Sequence, residues 1–171
     1  DLSLIISEFE MKLLQTTFKI STEILYYLPF LFDDVPQSTN LPPFSERHNF
    51  ITLGNLLHQT NVDAVLQLKK LWPEIKKQLP DSELHIYGAY APQQITELHN
   101  PKEGFFIKGW AKEVDEVIKP SRLQLAPIRF GAGLKGKLVD AMRFGTPSVT
   151  TIVGEEGLCG NLPFSGSITN S

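Results

Sequence analysis

Residues 126–142 read Ala-Pro-Ile-Arg-Phe-Gly-Ala-Gly-Leu-Lys-Gly-Lys-Leu-Val-Asp-Ala-Met, with three cations and three glycines in one short stretch. An apolar strand signal over 123–126 precedes it, and a helix signal over 135–144 follows. Glycines let backbone N–H groups approach an anion closely. A helix N-terminus adds unpaired donors and about half a positive charge. Arg129, Lys135 and Lys137 add full charges. This chemistry is a grip on a phosphate-bearing nucleotide, centred on a diphosphate. The competing structural reading is a tight turn with solvated lysines. The strand before, the helix after and the three cations weigh against it.

Two short motifs match on paper. Gly131, Gly133 and Gly136 spell G-x-G-x-x-G, with Glu155 at a distance suited to a ribose contact. That dinucleotide fingerprint belongs at the end of a domain's first strand, whereas this turn comes late and Pro127 to Phe130 intervene. Gly131 to Lys137 also spells G-x-x-x-x-G-K, but position 138 is Leu where magnesium chemistry needs a hydroxyl.

The elements that position the turn follow from periodicity. Strands are expected over 2–6, 24–28, 50–53, 84–87, 105–107, 123–126 and 147–149. Helices are expected over 8–18, 61–79, 92–98, 112–118 and 135–144. In the longest, Val62, Val65, Leu68, Trp72, Ile75 and Leu79 share a face, Thr60 or Asn61 caps the start, and Pro73 should kink or split it. Gly145 and Pro147 should stop the last helix. Alternating strands and helices with near-continuous apolar strands give an α/β class, a Rossmann-like parallel sheet with helices on both faces. Ligands of such sheets bind beyond the strands' carboxyl ends, so 54–55, 88, 109–110, 128–137 and 154–157 are the positions to watch. After Gly157 no further element is evident, and the domain is expected to continue beyond Ser171.

The bulk properties set limits. The 171 residues suffice for one domain plus a fragment of another, with 42% hydrophobic and 20% charged residues. A net charge of -3 makes no general case for nucleic acid, so any anion site is local. Cys159 is the one cysteine, and no apolar run reaches the ~20 residues that span a bilayer. A start at Asp1, without Met or a leader pattern, suggests a piece of something longer. His58, His85 and His99 are expected to be structural or exposed, and no His, Cys and carboxylate cluster has metal-ligand spacing. The 33–45 stretch, with Pro36, Pro42 and Pro43, reads as a linker.

Over about two-thirds of its length the chain resembles the donor-binding domain of GT-B glycosyltransferases of family 4. The likeness runs from Phe50-Ile51-Thr52-Leu53-Gly54 and Asn61 through Trp72-Pro73-Glu74-Ile75 to Leu84-His85-Ile86-Tyr87-Gly88. It continues at Gly109-Trp110, Ala126-Pro127, Gly131-Ala132-Gly133-Leu134-Lys135, Asp140-Ala141-Met142 and Gly145-Thr146-Pro147, and ends at Gly154-Glu155-Glu156-Gly157-Leu158. The resemblance divides the chain into 1–34, a remnant of the acceptor domain, a linker at 35–47, and the donor domain from 48 to 171, truncated at its C-terminus.

What the resemblance implies is a transfer of sugar from a UDP- or GDP-sugar to an unknown sugar, lipid-linked or other acceptor, as in polysaccharide biosynthesis. Retention of configuration is implied, with no metal and no cofactor beyond the nucleotide-sugar substrate. The amides of Gly131, Gly133 and Leu134 take the diphosphate. Arg129, Lys135 and Lys137 neutralise it and the leaving group, which is electrostatic catalysis. Asp140 takes the place of the family's ribose-binding glutamate. Gly54 borders the donor, and Gly109 with Trp110 approaches the nucleobase. The family's other glutamate, near the sugar hydroxyls, falls at Ala132 and is missing. The basic residue after the first strand is missing too, in His58-Gln59-Thr60-Asn61. A cytoplasmic protein is implied, at the inner face of the membrane through its missing N-terminal domain, and a fragment inactive by itself. A non-catalytic regulatory or interaction domain of the same fold is the alternative. An NAD-dependent enzyme is a further one, which predicts a sheet beginning at Leu123.

Overall fold

The computed structural model describes residues 2–32, 41–160 and 162–170. Most of the expected linker, 33–40, lies outside the described residues.

Among the described residues, two sheets are present. β1 (Ser3–Ile5) and β2 (Leu25–Tyr27) pair in parallel, with α1 (Glu8–Thr16) between them. Ser7 caps α1 by accepting from the Glu10 N–H. The larger sheet holds β3 (His48–Leu53), β4 (Leu84–Tyr87), β5 (Phe105–Gly109), β6 (Ser121–Ala126), β7 (Ser148–Thr151) and β8 (Gly166–Thr169), in the order β5-β4-β3-β6-β7-β8. All its pairs are parallel. β3 sits beside β6, so the direction of strand addition reverses there. That reversal leaves a crevice beyond the carboxyl ends of β3 and β6, where doubly wound sheets bind ligands. β3, β4 and β5 are in place before β6, which removes the sheet on which the NAD reading depended.

Between the strands lie α2 (Gln59–Gln78), α3 (Gln93–Thr96), α4 (Val114–Ile118), α5 (Gly136–Arg143) and α6 (Ile152–Glu155). The expected apolar face of α2 packs on the sheet, with Val62, Val65, Leu68 and Trp72 buried against Leu84, Ile86 and Phe105. The helix runs unbroken through Pro73, so of the expected kink or split the split does not occur. Pro73 is exposed, so water can serve the carbonyl it leaves without a partner, while Leu68 and Trp72 anchor the preceding turn. The start of α2 also differs from expectation, because His58 occupies the cap position and no side chain caps the helix. Gly145, in the left-handed region at φ 63°, ends α5 as expected. β8 was not foreseen. It is an edge strand with Gly166, Ser167 and Ile168 exposed, so it carries no apolar signal.

Candidate functional site

The crevice is built by the loop after β3, the turn after β6 and the start of α5. Two threonines of β7 fix where β6 ends. Thr150 donates to the Ala126 carbonyl at 2.8 Å, and Thr151 donates to that of Ile128. Buried Gln124 donates to the Lys137 carbonyl at 3.0 Å, tying the first turn of α5 to the sheet.

Gly131 and Gly133 hold φ 121° and 76°, a backbone that side chains resist. The Lys135 ammonium folds back into the turn they make, donating to the carbonyls of Gly131 at 3.1 Å and Gly133 at 2.5 Å. Burial lowers the Lys135 pKa, against which Glu156 and Glu10 act to raise it. Lys135 therefore fastens the turn as well as charging it. Among the described residues, the amides of Leu134, Lys135, Gly136 and Lys137 meet no backbone acceptor, and no side chain caps α5. The Gly133 N–H is already taken, by Glu10 of α1 at 2.7 Å.

Lys137 points from α5 toward the first turn of α2, where its ammonium donates to Asn61 Oδ1 at 2.5 Å. Asn61 in turn donates to the Asn55 carbonyl at 2.7 Å. Burial pushes Lys137 down to about 8, and neighbouring Lys135 adds to the effect. Asn61 thus serves the site rather than capping its helix.

A cavity of about 360 Å3 opens here, bordered by Gly54, Tyr87, Trp110, Lys137 and Asp140 among others. Burial raises the Asp140 pKa, and Arg143 at 3.6 Å offsets part of this. Trp110, 70% exposed, stands at the mouth beside Gly109. The arrangement offers a flat apolar wall, then a carboxylate, then an ammonium and free amides. It can hold a base, a ribose and a diphosphate in that order.

The crevice therefore gathers Gly54, Trp110, Lys137 and Asp140, with the turn of Gly131, Gly133 and Leu134 alongside. Arg129 is held elsewhere, in a two-pronged pair with Asp63 of α2 at 2.9 and 2.5 Å. That pair raises the Arg129 pKa and lowers that of Asp63. Asn61 and Glu10 are the site residues sequence reasoning missed as such. A Cβ at Gly54 would lie 2.5 Å from Asn61 Cγ. Gly54→Ala is expected to push the Asn61 amide off Lys137, weakening diphosphate binding about threefold or more with a small loss of stability. Calorimetric titration beside a melting curve measures both.

Among the described residues, no group of three or more His, Cys, Asp or Glu side chains is placed to hold a metal ion, and no helix is long and apolar enough to cross a membrane.

No curated protein sequence matches the chain. Solved structures match its fold. A glycosyltransferase from Rickettsia africae superposes with a TM-score of 0.70 at 13% identity, over 99% of this chain and 49% of that one. The pneumococcal O-GlcNAc transferase GtfA, in complex with UDP and GlcNAc, gives 0.72 at 19% identity over 100% of this chain and 34% of its own. Anabaena HepE, in complex with UDP and glucose, gives 0.69 at 13% identity over 99% and 49%. The chain thus spans from a third to a half of these structures. The sequence profile described as glycosyl transferases group 1 matches residues 47–162, more than half of the chain. The chain therefore belongs to the glycosyl transferases group 1 family, and its six-stranded domain is a Rossmann-like half of a GT-B fold.

Proposed function

We propose that residues 48–171 form the donor-binding domain of a glycosyltransferase and that residues 1–34 belong to its acceptor domain. The carrying observation is the switch-point crevice, where Lys137 and the uncapped start of α5 adjoin a cavity reaching from Asp140 to Trp110. A nucleoside diphosphate fills that series. The base lies against Trp110 and the backbone of Gly109, and the ribose hydroxyls donate to Asp140. The diphosphate takes the free amides from Leu134 to Lys137.

Charge develops on the departing diphosphate as the bond between the sugar's anomeric carbon and the phosphate oxygen breaks and the acceptor oxygen bonds to that carbon. Lys137 and the dipole of α5 are aimed at that charge before the reaction starts, and a closed, water-poor cleft strengthens them. Lys135 holds the turn in register, and Arg129 contributes when it leaves Asp63. Transfer to a sugar, lipid-linked or other acceptor, with retention and without metal, is the reading the family supports. A place at the cytoplasmic face of the membrane goes with it. Ala132, with no side-chain oxygen at the sugar end, favours a second reading, a binding domain of the same fold without transfer.

The test is calorimetric titration with UDP, GDP, UDP-glucose and GDP-mannose. One of the two nucleotides is expected to bind, and Trp110→Ala is expected to weaken it about tenfold, the scale of a lost base-stacking platform. Absence of binding by any of the four would sink the donor reading. Release of nucleoside diphosphate from a donor by the full chain would dispose of the second.

A further inference from the structure

Asp140, the carboxylate at the ribose position, has a neighbour that lies outside the crevice. Arg143, in the last turn of α5, places Nη1 3.6 Å from Asp140 Oδ1, one helical turn back. Among the described residues it is the one cation paired with that carboxylate. A cation near a helix C-terminus is ordinarily placed by the helix dipole, with its head in water. Arg143 is seated differently. Its guanidinium carbon lies 4.4 Å from the ring centre of Phe32 and 5.3 Å from that of Phe144. Its Nε is buried without a hydrogen-bond partner among the described residues. The two rings and Asp140 therefore set where the guanidinium sits.

Phe32 comes from far away in sequence, on the segment that leaves β2, where it stacks with Phe30 at 5.7 Å between ring centres. It is 43% exposed and belongs to neither buried apolar cluster, so core packing does not account for its place.

We propose that Arg143 is the positioning residue for Asp140 and that Phe32 seats it, so that the segment leaving β2 carries part of the grip on the ribose. This rests on the donor reading of the crevice. A carboxylate receives two ribose hydroxyls best when it is already held at one angle, because ordering it on binding costs affinity. An ion pair at 3.6 Å restrains the Asp140 carboxylate while leaving its lone pairs to the hydroxyls. Burial raises the Asp140 pKa and Arg143 offsets part of that, so the same contact keeps the group an acceptor. A ring against the flat face of the guanidinium narrows the positions Arg143 can take. The competing reading is an ordinary partly exposed ion pair of small worth, with no bearing on the ligand.

The test is the ratio of affinities for UDP and 2′,3′-dideoxy-UDP, measured by calorimetric titration of the full chain. If GDP is the nucleotide that binds, GDP and its dideoxy form take their place. The ratio reads the ribose hydroxyls alone, since a charge lost near the diphosphate, or a loosened fold, weakens both nucleotides alike. The unmodified protein is expected to favour UDP about tenfold or more, the worth of hydrogen bonds to a carboxylate. Arg143→Met is expected to bring the ratio down to about twofold or less. Phe32→Leu keeps an apolar side chain without the ring, and is expected to lower the ratio about threefold. In Arg143→Met the same change at Phe32 is expected to do nothing more, because the two act through one contact. A ratio left intact by Arg143→Met overturns the inference, since Asp140 would then be aimed without it. A ratio unmoved by Phe32→Leu, or lowered by it equally with and without Arg143, also overturns it. Equal binding of both nucleotides by the unmodified protein takes Asp140 off the ribose and overturns it too, with the nucleotide reading left standing. Failure of every nucleotide to bind brings down the donor reading, and this inference with it.

Discussion

Lys137→Met is expected to weaken nucleoside diphosphate binding by about tenfold to a hundredfold, the value of a charge-assisted hydrogen bond to phosphate, while leaving the melting temperature no lower than that of the unmodified protein. The two halves have one cause. Burial holds Lys137 down at about 8 from the usual 10.5, so the folded chain keeps this charge at a cost. Met fills the same volume without the charge, and only Asn61 loses a partner. A site that spends stability on an unfavourable charge recovers it when an anion arrives. The sign of the pH dependence follows. Below about pH 8 folded and unfolded chains both hold the proton and the cost is complete. From about 8 to 10.5 the unfolded chain binds it more tightly, so stability rises with pH across that window. Affinity moves the other way, because the anion needs the charged form: it falls as pH rises through about 8. Binding above that pH takes up a proton, measurable by calorimetry in two buffers of different ionisation enthalpy. In Lys137→Met the slope disappears. An affinity flat from pH 7 to 9 in the unmodified protein would remove Lys137 from the diphosphate.

The turn was legible in the sequence because its chemistry is local. Gly131, Gly133, Lys135 and Lys137 lie within seven positions, and a strand and a helix flank them. The apolar face of α2 was legible for a similar reason, since helical period records which side meets the sheet. What pairs with the turn was not. Glu10 reaches Gly133 across 123 positions, Asn61 reaches Lys137 across 76, and Asp63 reaches Arg129 across 66. Asn61 reads locally as a cap, and Asp63 as a solvated residue on the polar face of its helix. Only the juxtaposition of β3 and β6 brings the start of α2 against the turn. β8 escaped because three of its four residues are exposed, so no apolar run or alternation marks it. Pro73 does not split α2 because the carbonyl it leaves without a partner lies beside an exposed residue, where water can serve it.

Trp72→Ala is expected to give the opposite signature to Lys137→Met. Trp72 is 1% exposed, edge-on to Phe50 and Phe105 at 6.1 and 6.4 Å between ring centres, and its indole N–H donates to the Glu103 carbonyl at 2.6 Å. Truncation removes that packing and leaves a cavity beneath α2, at a cost of about 3–5 kcal/mol, while the Glu103 carbonyl, on an exposed residue, turns to water. Against the ~5–15 kcal/mol of a typical domain, this is a fall in melting temperature of roughly 10 °C. Trp72 lies eleven residues along α2 from Asn61, about 16 Å at the helical rise. Sites so separated act independently, so the folded fraction should bind nucleoside diphosphate within about threefold of the unmodified protein. Ligand at a hundred times its Kd should restore about 2.7 kcal/mol to both proteins alike. Thermal melts with and without UDP or GDP read both quantities. If the folded fraction of Trp72→Ala lost its affinity, the seating of α2 on the sheet would itself set the position of Asn61. The diphosphate site would then depend on the core beneath it, and could not be treated as a turn and two lysines.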